Sequence, residues 1–572
     1  MTRFALWAPY AARVQLDLSG RRTDMSSAGS GWYHADVEAA PGTDYSFVLD
    51  GGLPLPDPRS ACQPHGVDGP SRLLDHPAYR WQDTGWRPGD WQSAVVYELH
   101  IGTFTTAGTF AAAVERLDHL VALGCTHVEV MPVAAFPGDR GWGYDGVDLW
   151  AVHEAYGGPD GFKRFVDACH KRGLAVLLDV VYNHLGPAGN YLPQYGPYFT
   201  GKYRTPWGEA VNFDGAGSDE VREFVISNAL MWLRDYHVDG LRLDAVHAIH
   251  DESALPLLEE LALRVAALSA DLGRELVLVA ESDLNDPKVV RDRELGGLGM
   301  TAQWSDDLHH CLHAVLTGER AGYYEDFGTV AQLAAALSAG FVYVGQHSAH
   351  RGRRHGRSLA GIPPYRLLGY LQTHDQIGNR ARGDRTSQLM SNGLLRVGAA
   401  LVLLGPFVPM LFQGEEWGAS TPFQYFTAQP DPDLAEAIRR GRQGEFAAFG
   451  WQPADVPDPQ EPATFERSRL DWAELGREPH SGLLDWHRAL LALRRAEPEL
   501  HAASWPQVSF AEDARWLVMR RGRWLVCANL AATAQQLAID GKIALASAVG
   551  VHLAAGTLTL PPESVAVVLG PA

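Results

Sequence analysis

The chain is short of basic residues and of long apolar runs. Lys and Arg number 48 against 68 Asp and Glu, a formal charge of −20 over 572 residues. A surplus of carboxylates repels phosphate backbones and anionic lipid, so neither nucleic acid nor membrane is expected as a partner. No stretch reaches the roughly 18 uninterrupted apolar residues that a membrane helix needs. The opening MTRFALWAPYAARVQLDL is broken by Arg and Asp before a signal-peptide core can form. Cysteine is scarce: Cys62, Cys125, Cys169, Cys311 and Cys527 are scattered, odd in number and without a CxxC pair. That argues against a disulfide framework and fits reduced thiols in a cytoplasmic protein. HExxH and dense His clusters at zinc-ligand spacing are also missing, so no metal or cofactor is expected.

What is present is an ordinary globular composition, 46% hydrophobic and 20% charged, with 17 Trp and 19 Tyr. Residues 1–90 read as a small β-sandwich. FALWAPYAARVQLDL alternates around a Pro turn, and GWYHADVEA and YSFVLDGG follow with a PGTD turn between them. The Pro- and Gly-rich PLPDPRSACQPHGVDGPSR reads as a linker. From 91 to 498, short apolar strands alternate with amphipathic helices. The strands are AVVYELHI, CTHVEVMP, LAVLLDVVYN, VDGLRLDAV, ELVLVAES, MTAQW, LLGYLQTH and VPMLFQG. Helical spacing marks FAAAVERLDHLVALG, PDGFKRFVDACHKRG with Asp160 as N-cap, DEVREFVISNALMWLRDYH, LPLLEELALRVAALSADLG and, last, GLLDWHRALLALRRA. Eight such units fit an α/β fold, a closed (β/α)8 TIM barrel, with a doubly wound sheet as the alternative. PADVPDPQEP reads as a loop, and residues 499–572 return to short alternating runs, a C-terminal β domain.

Chemistry is sought at the C-terminal ends of the barrel strands. Strand period two puts Arg242 and Asp244 of GLRLDAVHA on one face. A carboxylate beside a guanidinium stays ionised and can act as a nucleophile; the plain alternative is a structural ion pair. Glu281 ends an apolar run, where desolvation raises a carboxyl pKa and makes it a proton donor. LQTHDQIGN supplies His374 and Asp375, and DVVYNH supplies Asp179, Asn183 and His184. Several carboxyls at one barrel mouth suit glycoside hydrolysis, in which one carboxylate attacks and one acid protonates the leaving oxygen.

The four segments DVVYNH (179–184), GLRLDAVHA (240–248), LVAES (278–282) and LQTHDQIGN (371–379) match, in order, four motifs of the α-amylase family of glycoside hydrolases, and the chain resembles that family. The resemblance implies Asp244 as nucleophile, Glu281 as general acid/base and Asp375 as stabiliser of the sugar cation. It further implies Arg242, His184 and His374 as sugar contacts and Tyr144 stacked beneath the ring. The N-terminal β domain resembles the carbohydrate-binding sandwich of branching and debranching relatives. MPVAAFPGDRGWGYDGV (131–147) resembles the trehalohydrolase branch of the family and, less closely, the glycogen branching enzymes, and FVYVGQHSAHRGRRHGRS (341–358) resembles the trehalohydrolase branch specifically. That branch implies a retaining cut of the α-1,4 bond beside the terminal trehalose of maltooligosyl trehalose; separately, the chain is expected to be a monomer. His247 is a candidate for the leaving-group side. Two alternatives remain: a branching or debranching enzyme of the same fold, and a glucan-binding protein without turnover.

Other features are weighed against simpler readings. Gly141, Gly143 and Gly146 spell GxGxxG, but Trp142, Tyr144 and Asp145 fill the space a phosphate needs. HRGRRHGR (350–357) is one short basic loop on an acidic chain, structural or sugar-contacting rather than a nucleic-acid patch. Trp207, Trp417 and Trp472 are each either a sugar platform or core packing.

Overall fold

The computed structural model describes residues 1–447, 452 and 455–571. Its centre is a closed parallel barrel whose eight strands follow one another in chain order. They are β1 (Val96–Leu99), β2 (His127–Val130), β3 (Ala175–Val180), β4 (Gly240–Leu243), β5 (Val277–Ala280), β6 (Ala302–Trp304), β7 (Leu367–Tyr370) and β8 (Val408–Phe412). β8 pairs in parallel with β1 and closes the ring. Every residue of these strands is buried, which is why they read as apolar runs rather than alternating ones. All eight runs marked in the sequence become barrel strands, and the doubly wound alternative falls.

Val96, Leu177, Val277, Val279, Trp304, Leu368, Tyr370 and Met410 pack together in the lumen as one apolar cluster. Toward the C-terminal ends of the first four strands the buried side chains are polar instead: Glu98, Glu129, Asp179 and Arg242. Glu98 is level with Glu129, and Asp179 with Arg242. A side-chain period of two therefore sets apolar packing beneath a charged mouth.

The surrounding helices bury the stripes their spacing predicts. Gly158–His170 buries Phe162, Phe165, Val166 and Cys169, and His480–Ala496 buries Leu483, Leu484, His487, Leu490 and Leu491. Three helical details differ from expectation. Gly157, at φ 117°, caps the helix Gly158–His170, and Asp160 sits inside the first turn instead of at the cap. FAAAVERLDHLVALG splits into Phe110–Val114 and Leu117–Leu123, because the main-chain N–H groups of Glu115 and Arg116 bond three residues back. PADVPDPQEP is irregular from Asp455 to Glu461, with its last Pro opening a short helix, Pro462–Arg467; its first two residues lie outside the described residues.

Two antiparallel sheets lead the chain and are joined face to face by contacts such as Phe4 on Tyr45, 4.9 Å between centroids. The segment read as a linker belongs to them. Pro54–Leu55 and Ser71–Arg72 pair with Asp44–Leu49, and Tyr45 donates to the buried Asp57 at 2.8 Å. Pro and Gly there mark tight turns within a packed layer, not a tether. The C-terminal strands form a five-stranded and a three-stranded antiparallel sheet. All five cysteines are free and buried, and no helix among the described residues is long and apolar enough to cross a membrane.

Candidate active site

A cleft of about 360 Å³ opens at the C-terminal ends of the barrel strands. Tyr144, His184, Asp244, His247, Glu281, His374 and Asp375 all line it. Arg242 lies beneath, fully buried, so the structure gathers all eight residues picked from the sequence into one place.

Arg242 organises the floor. Its Nη1 donates to Asp179 at 2.8 and 2.9 Å and to Asp244 Oδ1 at 2.8 Å. Its Nη2 lies 2.9 Å from Glu281 Oε2, but without hydrogen-bond alignment, and Nε has no acceptor. The guanidinium also sits 4.4 Å from the centre of the Trp304 ring. One cation therefore touches three carboxyl groups on three neighbouring strands.

Those groups diverge in acidity. Burial pushes Asp244 up, but the charges of Arg242 and His184 and a 2.7 Å hydrogen bond from Asn183 outweigh it, leaving its pKa below the ordinary carboxylate range. Burial pushes Glu281 well above that range. Arg242 opposes this, the charges of Asp244 and Asp375 add to it, and the Ala245 main-chain N–H, 2.7 Å from Oε2, offsets it only in part. Ala245 reaches that position with φ 39°, a left-handed backbone that costs a side-chain-bearing residue about 1 kcal/mol. Burial also raises Asp179, to about 6, against the pull of Arg242.

Around this floor, Tyr144 stacks on His374 with centroids 5.2 Å apart and donates to Asp179 at 2.6 Å. His184 Nε2 lies 3.0 Å from the Tyr144 carbonyl, and its ring lies flat on Trp207 at 4.3 Å. Asp375 Oδ1 is 3.6 Å from His374 Nε2. His247 Nδ1 is 3.9 Å from Asp283, which is also paired with Arg351 at 2.9 Å. The basic loop thus reaches the edge of the cleft through Arg351.

Of the three tryptophans, Trp207 is 49% exposed on a hairpin and lines the cleft. Trp417 is fully buried and bonded to Glu474, and Trp472 packs on it at 5.1 Å. Both are core. The GxGxxG glycines serve packing: at Gly143, with φ 98°, a Cβ would meet the Pro132 carbonyl at 2.3 Å.

The sequence reading passed over Trp142, Asp145, Asn379, Tyr425 and Arg442, which also line the cleft, and Glu98, which holds His374 from below. Glu98 had a signal: it is a carboxylate inside an apolar strand, in phase with the lumen. Tyr425 arrives on a distant loop and Arg442 on the helix Pro432–Ala447, and neither had one.

Comparison with known proteins finds relatives along nearly the whole chain. Residues 83–198 match the model for the α-amylase catalytic domain, and residues 507–567 match a domain of unknown function (DUF3459). The chain is 51% identical to a malto-oligosyltrehalose trehalohydrolase of Mycobacterium tuberculosis over 96% of this chain and 95% of that one. It is 55% identical to one of Arthrobacter ramosus over 87% of each. A solved α-amylase-type structure from Salmonella typhimurium superposes with a TM-score of 0.91 at 42% identity, covering 100% of this chain and 97% of the other.

Proposed function

The chain belongs to the malto-oligosyltrehalose trehalohydrolases of the α-amylase family, and from that premise we propose how its cleft performs the cut. The substrate is maltooligosyl trehalose, and the bond broken is the α-1,4 link beside its terminal trehalose. Glu281, kept protonated by burial, gives its proton to the glycosidic oxygen. Asp244, kept ionised, attacks the anomeric carbon and forms a glycosyl-enzyme. Glu281, now a carboxylate, takes a proton from water, and that water releases the shortened oligosaccharide. Asp375 binds hydroxyls of the distorted sugar, Tyr144 supplies the ring beneath it, and His184, His374 and Arg242 fix the floor. His247, with Asp283 and Arg351 behind it, faces the departing trehalose.

One observation carries this assignment. A single guanidinium touches both Asp244 and Glu281, yet their surroundings drive the two pKa values apart, one down and one up. Two carboxyls separated in this way are a nucleophile and an acid. An uncharged oligosaccharide also suits a chain of net charge −20. As part of the same reading, residues 1–90 form a β-sandwich like a carbohydrate-binding module, 91–498 the catalytic domain and 499–572 a C-terminal β domain.

The test is product analysis. Maltotriosyl trehalose should yield free trehalose and maltotriose in equal amounts. New α-1,6 branches on amylose with no trehalose released would replace this reading with that of a branching enzyme.

A further inference from the structure

Glu98 belongs to no step described so far, although it is buried at the centre of the barrel beneath the cleft. One oxygen, Oε1, lies against His374 Nδ1, and the other accepts the His374 main-chain N–H at 3.2 Å. Beyond His374 runs a continuous chain. His374 Nε2 is 2.8 Å from Tyr144 Oη, Tyr144 Oη is 2.6 Å from Asp179 Oδ2, and Asp179 is clasped by Arg242.

Counting protons along this chain fixes the state of the ring. Tyr144 has a single hydroxyl proton. Above a pH of about 6, Asp179 is a carboxylate and can only accept, so it takes that proton. The Tyr144 oxygen must then accept from His374, which places a proton on Nε2. Nδ1 faces a carboxylate, which places a proton there as well. An imidazole protonated on both nitrogens is a cation.

We propose that Glu98 is a positioning residue for the hydrolysis: its carboxylate holds the His374 ring as an imidazolium with Nε2 aimed at Tyr144 Oη, and so sets the Tyr144 ring and the Asp375 turn against the reacting sugar. The proposal rests on the reading of the cleft given above. The charged and titratable groups facing His374 are Glu98, Asp375, Asp179, Glu129, Arg242 and His100. Burial pushes His374 down, but Glu98 and Asp375 outweigh it and raise it to about 9, against an opposing push from Arg242. Glu129, level with Glu98 on the next strand, has no hydrogen-bond partner on either oxygen, and burial pushes it well up. It stays protonated and leaves Glu98 as the counter-ion. His100 is pushed down to about 3 by burial and adds no charge.

Glu98→Gln keeps the shape and the acceptor but removes the counter-charge. A neutral ring donating from Nδ1 to the amide leaves Nε2 bare, and Tyr144 cannot bond both neighbours. The variant's kcat should fall by about tenfold or more relative to wild type at pH 8, and the deficit should shrink as acid reprotonates the ring. A deficit constant with pH, or no deficit, would overturn the proposal, because a carboxylate that merely supports the fold has no reason to be replaced by protons. Wild-type enzyme with 15N-labelled histidine gives a second readout that needs no variant at Glu98. The His374 signals, identified by their loss in His374→Gln, should show both nitrogens protonated from pH 6.5 to 8. A neutral-tautomer pattern there would overturn the proposal even if Glu98→Gln fails to fold. The spectrum needs no turnover, so an enzyme that releases no trehalose would sink the functional reading alone.

Discussion

Asp239 enters β4 at the foot of the barrel and Asp244 leaves it at the mouth, so one strand carries a buried aspartate at each end. At the foot, Asp239 Oδ1 accepts from Trp86 at 2.8 Å and Arg274 at 3.1 Å, and Oδ2 accepts from His170 and the Val176 main chain, both at 2.9 Å. His170 bridges on to Asp83, which also holds His237, and Trp86 stacks on the His170 ring at 4.4 Å. At the mouth, Arg242 leaves two nitrogens without aligned acceptors, Glu129 leaves two oxygens bare, and Glu281 is held neutral. Both ends are charged and buried, but only the foot is saturated with hydrogen bonds. A saturated network makes a rigid joint between the segment before the barrel and the barrel itself. An unsaturated one keeps groups ready to change protonation state.

The largest effect that separates the two ends is catalytic. Glu281→Gln should lower kcat by about 10³-fold or more, since the amide cannot protonate the leaving oxygen. Its melting temperature should not drop, because the substitution replaces a neutral acid with a neutral amide. Calorimetry beside a kinetic assay checks both halves. A large loss of stability would show that the mouth, like the foot, is part of what holds the barrel together.

Asp239→Asn should do the reverse. Removing one charge from a buried, hydrogen-bonded cluster strands His170 and Arg274, at a cost of about 3–5 kcal/mol. Molecules that remain folded should keep a wild-type kcat, because the site is at the other end of the barrel. A denaturant titration paired with kcat per folded enzyme measures this. A matching fall in kcat would break the separation of roles.

Much of the mouth was legible in the sequence, and almost none of the foot. GLRLDAVHA, LVAES and LQTHDQIGN place their polar residues at the ends of apolar runs, where the change in pattern is visible. The foot joins Asp83 from an irregular segment, His170 from a helix end, and Asp239 and Arg274 from two turns. No period links them, and only the tertiary fold brings them together. PLPDPRSACQPHGVDGPSR read as a tether for a similar reason: Pro and Gly report turns, not whether the turns are buried. Trp207 and Trp417 look alike in sequence, and only their exposure separates a cleft wall from core.

Acidity gives a graded test of the same comparison. Burial pushes His170 down, but Asp239 and Asp83 outweigh it, so its folded pKa lies above 6.5. Its stabilisation is complete below 6.5 and is lost as pH rises through the folded value. Burial pushes Asp239 up, but bonds from His170, Arg274 and Trp86 hold it below 3.8, and that stabilisation is lost as pH falls through the folded value. The foot should therefore contribute most between 3.8 and 6.5. His170→Gln should lower stability most in that window and progressively less toward alkaline pH. A difference between variant and wild type that stays flat from pH 5 to 9 would mean that folding does not shift the His170 pKa.

The smallest effect tests whether saturation itself matters. Trp86→Phe keeps a ring on His170 but removes the N–H that reaches Asp239 at 2.8 Å. Asp239 retains three donors, so its charge stays paired and only one acceptor site is exposed. The cost should be about 1–2 kcal/mol, that of one hydrogen bond to a charged group, well short of the Asp239→Asn loss. If Trp86→Phe instead costs as much as Asp239→Asn, the donors act as one cooperative unit and cannot be counted singly. If it costs nothing, the stacked ring was sufficient, and the contrast with the mouth rests on charge pairing rather than on the number of bonds.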